Sequence, residues 1–178
     1  MTHHRRRNNG TDPSKINETV ELSPAQRYAA FKQTQAKQRT VAAEFARSMP
    51  FELDEFQMQA NDALEAGDNV LVAAPTGAGK TVAADFAIYL AQTRNVKAFY
   101  TTPIKALSNQ KYHDLVDQYG TDKVGLLTGD TSINSEADIV VMTTEVLRNM
   151  LYEHSVTLEA LRYVILDEVH YLADRFRG

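Results

Sequence analysis

Ala74-Pro75-Thr76-Gly77-Ala78-Gly79-Lys80-Thr81 (APTGAGKT) follows a short apolar run, Asn69–Ala73 (NVLVA), and precedes a segment with Val82, Phe86 and Leu90 at helical spacing. A strand, a tight loop and a helix in that order let successive backbone N–H groups and the helix N-terminus point at one anionic group. Gly77 and Gly79 permit close approach of the backbone, Lys80 reaches the β- and γ-phosphates of a nucleoside triphosphate, and the Thr81 hydroxyl is placed to ligate Mg²⁺. Glycine usually stands where this chain has Ala74. Pro75, Thr76, Gly77, Ala78, Gly79, Lys80 and Thr81 are therefore the expected binding loop, with ATP and Mg²⁺ as its expected ligands.

Outward from this loop the chain alternates. Asp54 caps a helix that runs to Ala66 and stops at Gly67. After the loop, Lys80–Gln92 reads as a helix, Val96–Thr101 as a strand, and Lys105–Tyr119 as a helix ended by Gly120. Val124–Thr128 and Ile139–Thr143 read as strands, Glu145–Tyr152 as a helix, and Tyr163–Asp167 as a last strand. Strands alternating with helices predict an α/β fold with a parallel sheet flanked by helices. A central parallel strand needs neighbours on both sides, so the domain is expected to be truncated at its C-terminal end. Before it, residues 1–22 are polar and read as a disordered tail. Ser23-Pro24 opens a helix expected to reach about Arg47, within an N-terminal segment of residues 23–50.

The strand Tyr163–Asp167 delivers Asp167 and Glu168 side by side. An aspartate leaving a buried strand holds Mg²⁺ opposite the threonine of the loop, and the adjacent glutamate accepts the proton of an attacking water as general base. With Lys80, these two are the candidate catalytic residues. Phe51 and Gln57 flank the start of the core: an aromatic ring stacks on a base, and an amide satisfies the N6 donor and N7 acceptor of adenine. A helix staple and a solvated helix residue are the structural alternatives for this pair. Thr101-Thr102-Pro103 and Thr143-Thr144-Glu145 both sit where a strand gives way to a helix. Open α/β sheets bind ligands at such ends, and helix N-termini with hydroxyls and amides suit the phosphates of a single strand. Helix capping uses the same residue types. Gly129-Asp130 is open between a turn and a strand contact.

A net charge of −4 with 43% hydrophobic residues argues against a generic polyanion binder but leaves a narrow groove for a strand. The absence of cysteine excludes disulfides, Fe–S clusters and thiolate zinc sites. No apolar run approaches the ~18–20 residues that cross a bilayer, so the chain is expected in the cytoplasm and off the membrane. His3 and His4 carry no ligand spacing, and Arg5–Arg7 read as a solvated basic tail.

Five segments carry a resemblance: Ala74–Thr81, Thr102–Gln110 (TPIKALSNQ), Leu127–Asp130 (LTGD), Met142–Arg148 (MTTEVLR) and Asp167–His170 (DEVH), in that order. Together they resemble superfamily 2 helicases of the DExH-box, superkiller-type branch, over about residues 51–178. The resemblance implies an incomplete first RecA-like domain over that range and ATP-driven 3′-to-5′ movement on single-stranded nucleic acid, RNA favoured. It also implies adenine recognition by Phe51 and Gln57. Strand contact is implied at Thr102, Pro103, Lys105, Gly129, Thr143, Thr144 and Glu145. Alanine at position 74 is common in that superfamily. A second RecA-like domain bearing arginine fingers is expected in the full-length protein. The alternatives are a nucleotide-binding or interaction fragment without helicase activity, and a small P-loop kinase. A kinase needs an arginine-bearing lid, and no such segment is evident.

Overall fold

The structure, a computed structural model, describes residues 23–37, 39–153 and 155–173. The expected tail over residues 1–22, with its histidines and arginines, lies outside them. The chain divides into two units at Arg39/Thr40, and each is taken by itself. In the first, helix α1 spans Pro24–Lys37. Ser23 opens it: its hydroxyl accepts the Gln26 N–H, and the Gln26 side chain accepts the Ser23 N–H at 2.8 Å.

The second unit begins with α2 (Val41–Ser48). The single helix expected over residues 24–47 is thus two helices. Thr40 adopts an extended backbone and its side chain accepts the Ala43 N–H, starting a new helix where the first was expected to continue. The Glu65 carboxylate takes the next two free donors, Val41 N–H at 3.0 Å and Ala42 N–H at 2.7 Å. Helix α3 (Glu55–Ala66) ends on Gly67 at φ +95°.

The remaining elements are α4 (Thr81–Thr93), β1 (Lys97–Thr102), α5 (Lys105–Tyr119), β2 (Val124–Leu127), β3 (Ser132–Ile133), β4 (Ile139–Thr143), α6 (Thr144–Tyr152) and β5 (Leu161–Leu166). The strands form one sheet in the order β3-β2-β4-β1-β5. It is parallel throughout except for the short antiparallel pairing of β3 with β2. This is the α/β architecture expected, with one antiparallel strand that the alternation did not suggest. The chain after β3 runs close to β2: a Cβ on Gly125, inside β2, would meet the backbone carbonyl of Asn134.

Side chains alternate across the sheet as the pleat requires. Ile139 and Val141 of β4 join Tyr100, Ile88 and Leu115 on the face covered by α4 and α5. Val140 and Met142 join Phe99 and Leu147 on the face covered by α6. A third cluster wedges Phe45 of α2 against Phe86 and Leu90 of α4. Each such buried side chain contributes roughly 1.5–3 kcal/mol.

One expected strand does not form. Residues 69–73 carry no ladder hydrogen bonds, although their burial still alternates, half-buried at Val70 and Val72 and open at Asn69, Leu71 and Ala73. Leu71 is 81% exposed. Period-two patterning specifies which face is apolar; a strand also needs a partner edge, and no strand of this sheet pairs with the segment. Among the described residues, no helix is long and apolar enough to cross a membrane.

Candidate nucleotide and strand site

The glycine loop turns through Gly77 at φ +84° and Gly79 at φ +74° before α4 begins. Lys80 folds back over it, its ammonium donating to the carbonyls of Ala74 at 2.8 Å and Pro75 at 3.1 Å. Pro75, Thr76, Gly77, Lys80 and Thr81 are exposed, while Ala78 and Gly79 are half-buried. The loop is braced from α3. Gln57, 4% exposed, donates through Nε2 to the Gly79 carbonyl at 3.1 Å and accepts the Asp54 N–H at 2.8 Å. Its amide is thus committed on both atoms to the protein. Phe51 is 51% exposed and lines an open hollow of about 560 Å³ with Met49, Leu53 and Met58. Phe51 presents a half-exposed ring, whereas the Gln57 amide is buried with one donor and one acceptor engaged by the protein.

The Asp167 N–H donates to Thr101 O at 3.0 Å, which extends the β1–β5 pairing by one residue. Its carboxylate is exposed but held at both oxygens: Oδ1 accepts the Glu168 N–H at 2.8 Å and Oδ2 accepts the Tyr100 hydroxyl at 2.7 Å. Burial, then the Asp167 hydrogen bond, pushes the Tyr100 phenol far above its ordinary value, so it remains a donor. Glu168 sits at φ +54°, a conformation costly for a side chain of this size and one that gathers at functional positions. Its Oε2 lies 3.2 Å from His170 Nδ1.

The Thr81 hydroxyl and the Asp167 carboxylate are hard oxygen donors. Mg²⁺ at a triphosphate takes one or two protein oxygens and fills its other positions with phosphate and water. The donor set fits that ion. Among the described residues, no three His, Cys, Asp or Glu side chains converge on a metal position.

At the carboxyl ends of β1, β2 and β4 the other candidates meet. Thr102 is 1% exposed and its hydroxyl turns inward, donating to Ile104 O at 3.0 Å and sharing a 2.7 Å hydrogen bond with Ser108. Thr144 donates to Thr102 O at 3.2 Å, tying the start of α6 to the end of β1. Thr143 is 8% exposed and occupies the cap position of α6. Lys105 reaches Asp130 Oδ1 at 2.6 Å, and Thr128 donates to the same oxygen at 2.9 Å. These hydrogen bonds, Lys105 first and Thr128 second, hold the Asp130 carboxyl below the usual range. The link is therefore complete at neutral pH and is lost only as acid protonates Asp130 below its unfolded value. Pro103 is half-buried, and Lys105, Gly129 and Glu145 are exposed. The hydroxyls thus shape the strand ends, and the exposed polar surface is left to Lys105, the Gly129 backbone and Glu145.

A family model described as DEAD/DEAH box helicase matches residues 54–178. The chain belongs to the DEAD/DEAH box helicases. It is 62% identical over 134 residues to the probable helicase HelY of Mycobacterium tuberculosis, covering 75% of this chain and 15% of that protein. It is 48% identical over 133 residues to the ATP-dependent RNA helicase mtr4 of Schizosaccharomyces pombe, covering 75% of this chain and 12% of that protein. Among solved structures, the Mycobacterium smegmatis helicase Lhr bound to ssDNA and AMP-PNP matches with a TM-score of 0.59 and 30% identity. That match covers 75% of this chain and 20% of Lhr. The chain thus spans only a small part of the length of these relatives.

Within this DEAD/DEAH box helicase segment, sequence reasoning singled out neither Tyr100 nor Lys111 of α5, whose ammonium lies 4.9 Å from the Tyr100 ring centroid. Tyr100 reads as core, since it lies in an apolar strand. Asp130 was read together with Gly129, and the structure pairs its carboxylate with Lys105. The loop geometry gives one prediction here. A Cβ on Gly79 would sit 2.5 Å from Gln57 Nε2, whereas one on Gly77 would meet nothing within 4 Å. Gly77→Ala is expected to cost the backbone penalty alone, about 1–2 kcal/mol. Gly79→Ala is expected to cost more, because it also ejects Gln57 from the loop. Urea unfolding of both variants checks the order, and equal losses would show that the Gln57 brace contributes nothing.

Proposed function

We propose that the chain is the ATP-binding, first RecA-like part (residues 51–178) of a helicase that hydrolyses ATP with Mg²⁺ to move 3′-to-5′ along a single nucleic-acid strand, RNA favoured, in the cytoplasm. The observation that carries this reading is the shared edge. Asp167 and Glu168 leave β5 beside the end of β1, where Thr102, Thr144 and the Lys105–Asp130 pair gather. The β5 strand packs on α4, the helix that the glycine loop opens. The candidate residues for nucleotide chemistry, Asp167 and Glu168, and those for strand contact thus share one rim of one sheet. RNA is supported by the family resemblance and by the name of the mtr4 relative; DNA is the competing outcome of the test.

In this reading Phe51 stacks on the base, residues 75–81 cradle the phosphates, and Thr81 and Asp167 hold the divalent ion, which neutralises phosphate charge. Glu168 takes the proton from the attacking water. A second RecA-like domain with arginine fingers completes the clamp on the γ-phosphate. The 178-residue chain by itself is therefore expected to bind ATP weakly and to hydrolyse it barely. An ATPase assay with single-stranded RNA, run on the full-length protein and on this chain, tests both statements. No stimulation of the full-length protein by RNA or DNA would sink the motor reading. Full turnover by the isolated chain would sink the need for a second domain.

Lys105→Ala offers a finer measurement. If Lys105 exchanges Asp130 for a phosphate on binding, the variant binds single-stranded RNA more weakly. Its log–log salt dependence becomes shallower by about 0.7. An unchanged slope would remove Lys105 from the strand interface.

A further inference from the structure

Tyr100 lies within β1 and is 2% exposed, yet its hydroxyl reaches the Asp167 carboxylate across the neighbouring strand. A buried tyrosine that serves only as core is satisfied by any acceptor, commonly a main-chain carbonyl. This one takes the carboxylate at the strand exit. With the Glu168 N–H on the other oxygen, the carboxylate is bonded at both ends. A carboxylate bonded at one oxygen still rotates about its Cβ–Cγ bond, whereas two bonds to opposite oxygens fix its plane. Each oxygen retains a further lone pair.

The ring that carries the hydroxyl is itself seated. Lys111 Nζ of α5 lies 4.9 Å from the Tyr100 ring centroid and 3.0 Å from Asp85 Oδ1 of α4. Attraction between the ammonium and the ring face favours this position, and the Asp85 carboxylate keeps the ammonium from leaving it. Side chains from α4 and α5 thus seat the β1 tyrosine whose hydroxyl meets one oxygen of Asp167.

We infer that Tyr100 is a positioning residue for the divalent ion that accompanies the nucleotide. Its hydroxyl sets the plane of the Asp167 carboxylate so that the free lone pairs face the water shell of the ion, and Lys111 with Asp85 seats the ring. This rests on the reading of Asp167 as the carboxylate on the metal side.

Tyr100→Phe removes the hydroxyl and keeps the ring and its contact with Lys111. The readout is the affinity of the full-length protein for a fluorescent ATP analogue, with Mg²⁺ and with EDTA, alongside thermal melting. With Mg²⁺ the variant is expected to bind about tenfold more weakly, the usual scale for losing a partner of a metal-side ligand. With EDTA its affinity should match the wild type. Lys111→Gln keeps the hydroxyl and loosens only the ring, so a smaller loss confined to Mg²⁺ is expected, and this variant carries the test if Tyr100→Phe folds poorly. An equal gain from Mg²⁺ in wild type and both variants overturns the role of Tyr100 while leaving Asp167 in place. The same holds for a loss of equal size in EDTA. A wild-type protein that gains nothing from Mg²⁺ overturns the reading of Asp167 together with this inference.

Discussion

Glu168→Gln is expected to lower ATP turnover of the full-length protein by about 10²- to 10⁴-fold, the range for losing a general base, while nucleotide affinity stays within about twofold. The substitution is nearly isosteric and removes the basicity and negative charge of the side chain, including the charge that faces His170 Nδ1. The Glu168 N–H donates to Asp167 Oδ1, and this main-chain contact is untouched by the change of side chain. The φ of +54° is equally costly for glutamine, so the fold loses nothing further. Steady-state phosphate release with saturating RNA, set against equilibrium nucleotide binding, separates the two effects. Persistent turnover would mean that another group accepts the proton.

Lys80→Ala has the second large effect, on binding. In this structure the ammonium is engaged by two carbonyls of its own loop, Ala74 O and Pro75 O. A triphosphate offers charged oxygens in their place, and charge-assisted hydrogen bonds are about twice as strong as neutral ones. Losing them is expected to weaken ATP binding by about 10- to 100-fold, corresponding to ~1.5–3 kcal/mol. Because Lys80 is exposed, water replaces it on the carbonyls, and stability should change by less than about 0.5 kcal/mol. Calorimetric ATP titration and urea unfolding of the same protein check both halves. Unchanged affinity would remove Lys80 from the phosphate site.

The residues legible in the sequence are those whose chemistry depends on local order along the chain. The glycine loop needs Gly77 and Gly79 beside Lys80, and the DEVH run needs only a strand followed by two acids. The same holds for the threonines at the two strand ends, although the Thr102 and Thr144 hydroxyls proved to be spent on the protein itself. What was not legible depends on pairing across the fold. Residues 69–73 have the pattern of a strand, but a ladder is a property of two segments. Thr40 divides the first helix because its side chain competes for a backbone donor, and a run of good helix formers hides that competition. Tyr100 gave no local signal: its hydroxyl acquires a role only because β1 and β5 are neighbours, 67 residues apart at the bond itself. Gln57 reads in the sequence as an adenine contact or a solvated helix residue; in the structure it is buried, with Asp54 and Gly79 as partners, which corrects the solvated alternative.

That double engagement of Gln57 bears on sequence tolerance. The position demands an acceptor for the Asp54 N–H and a donor for the Gly79 carbonyl from one side chain of fixed reach. Glutamate offers no donor, lysine no acceptor, and asparagine is one methylene too short to span both. Of these four side chains only glutamine meets both demands, so long as the glycine loop keeps this shape.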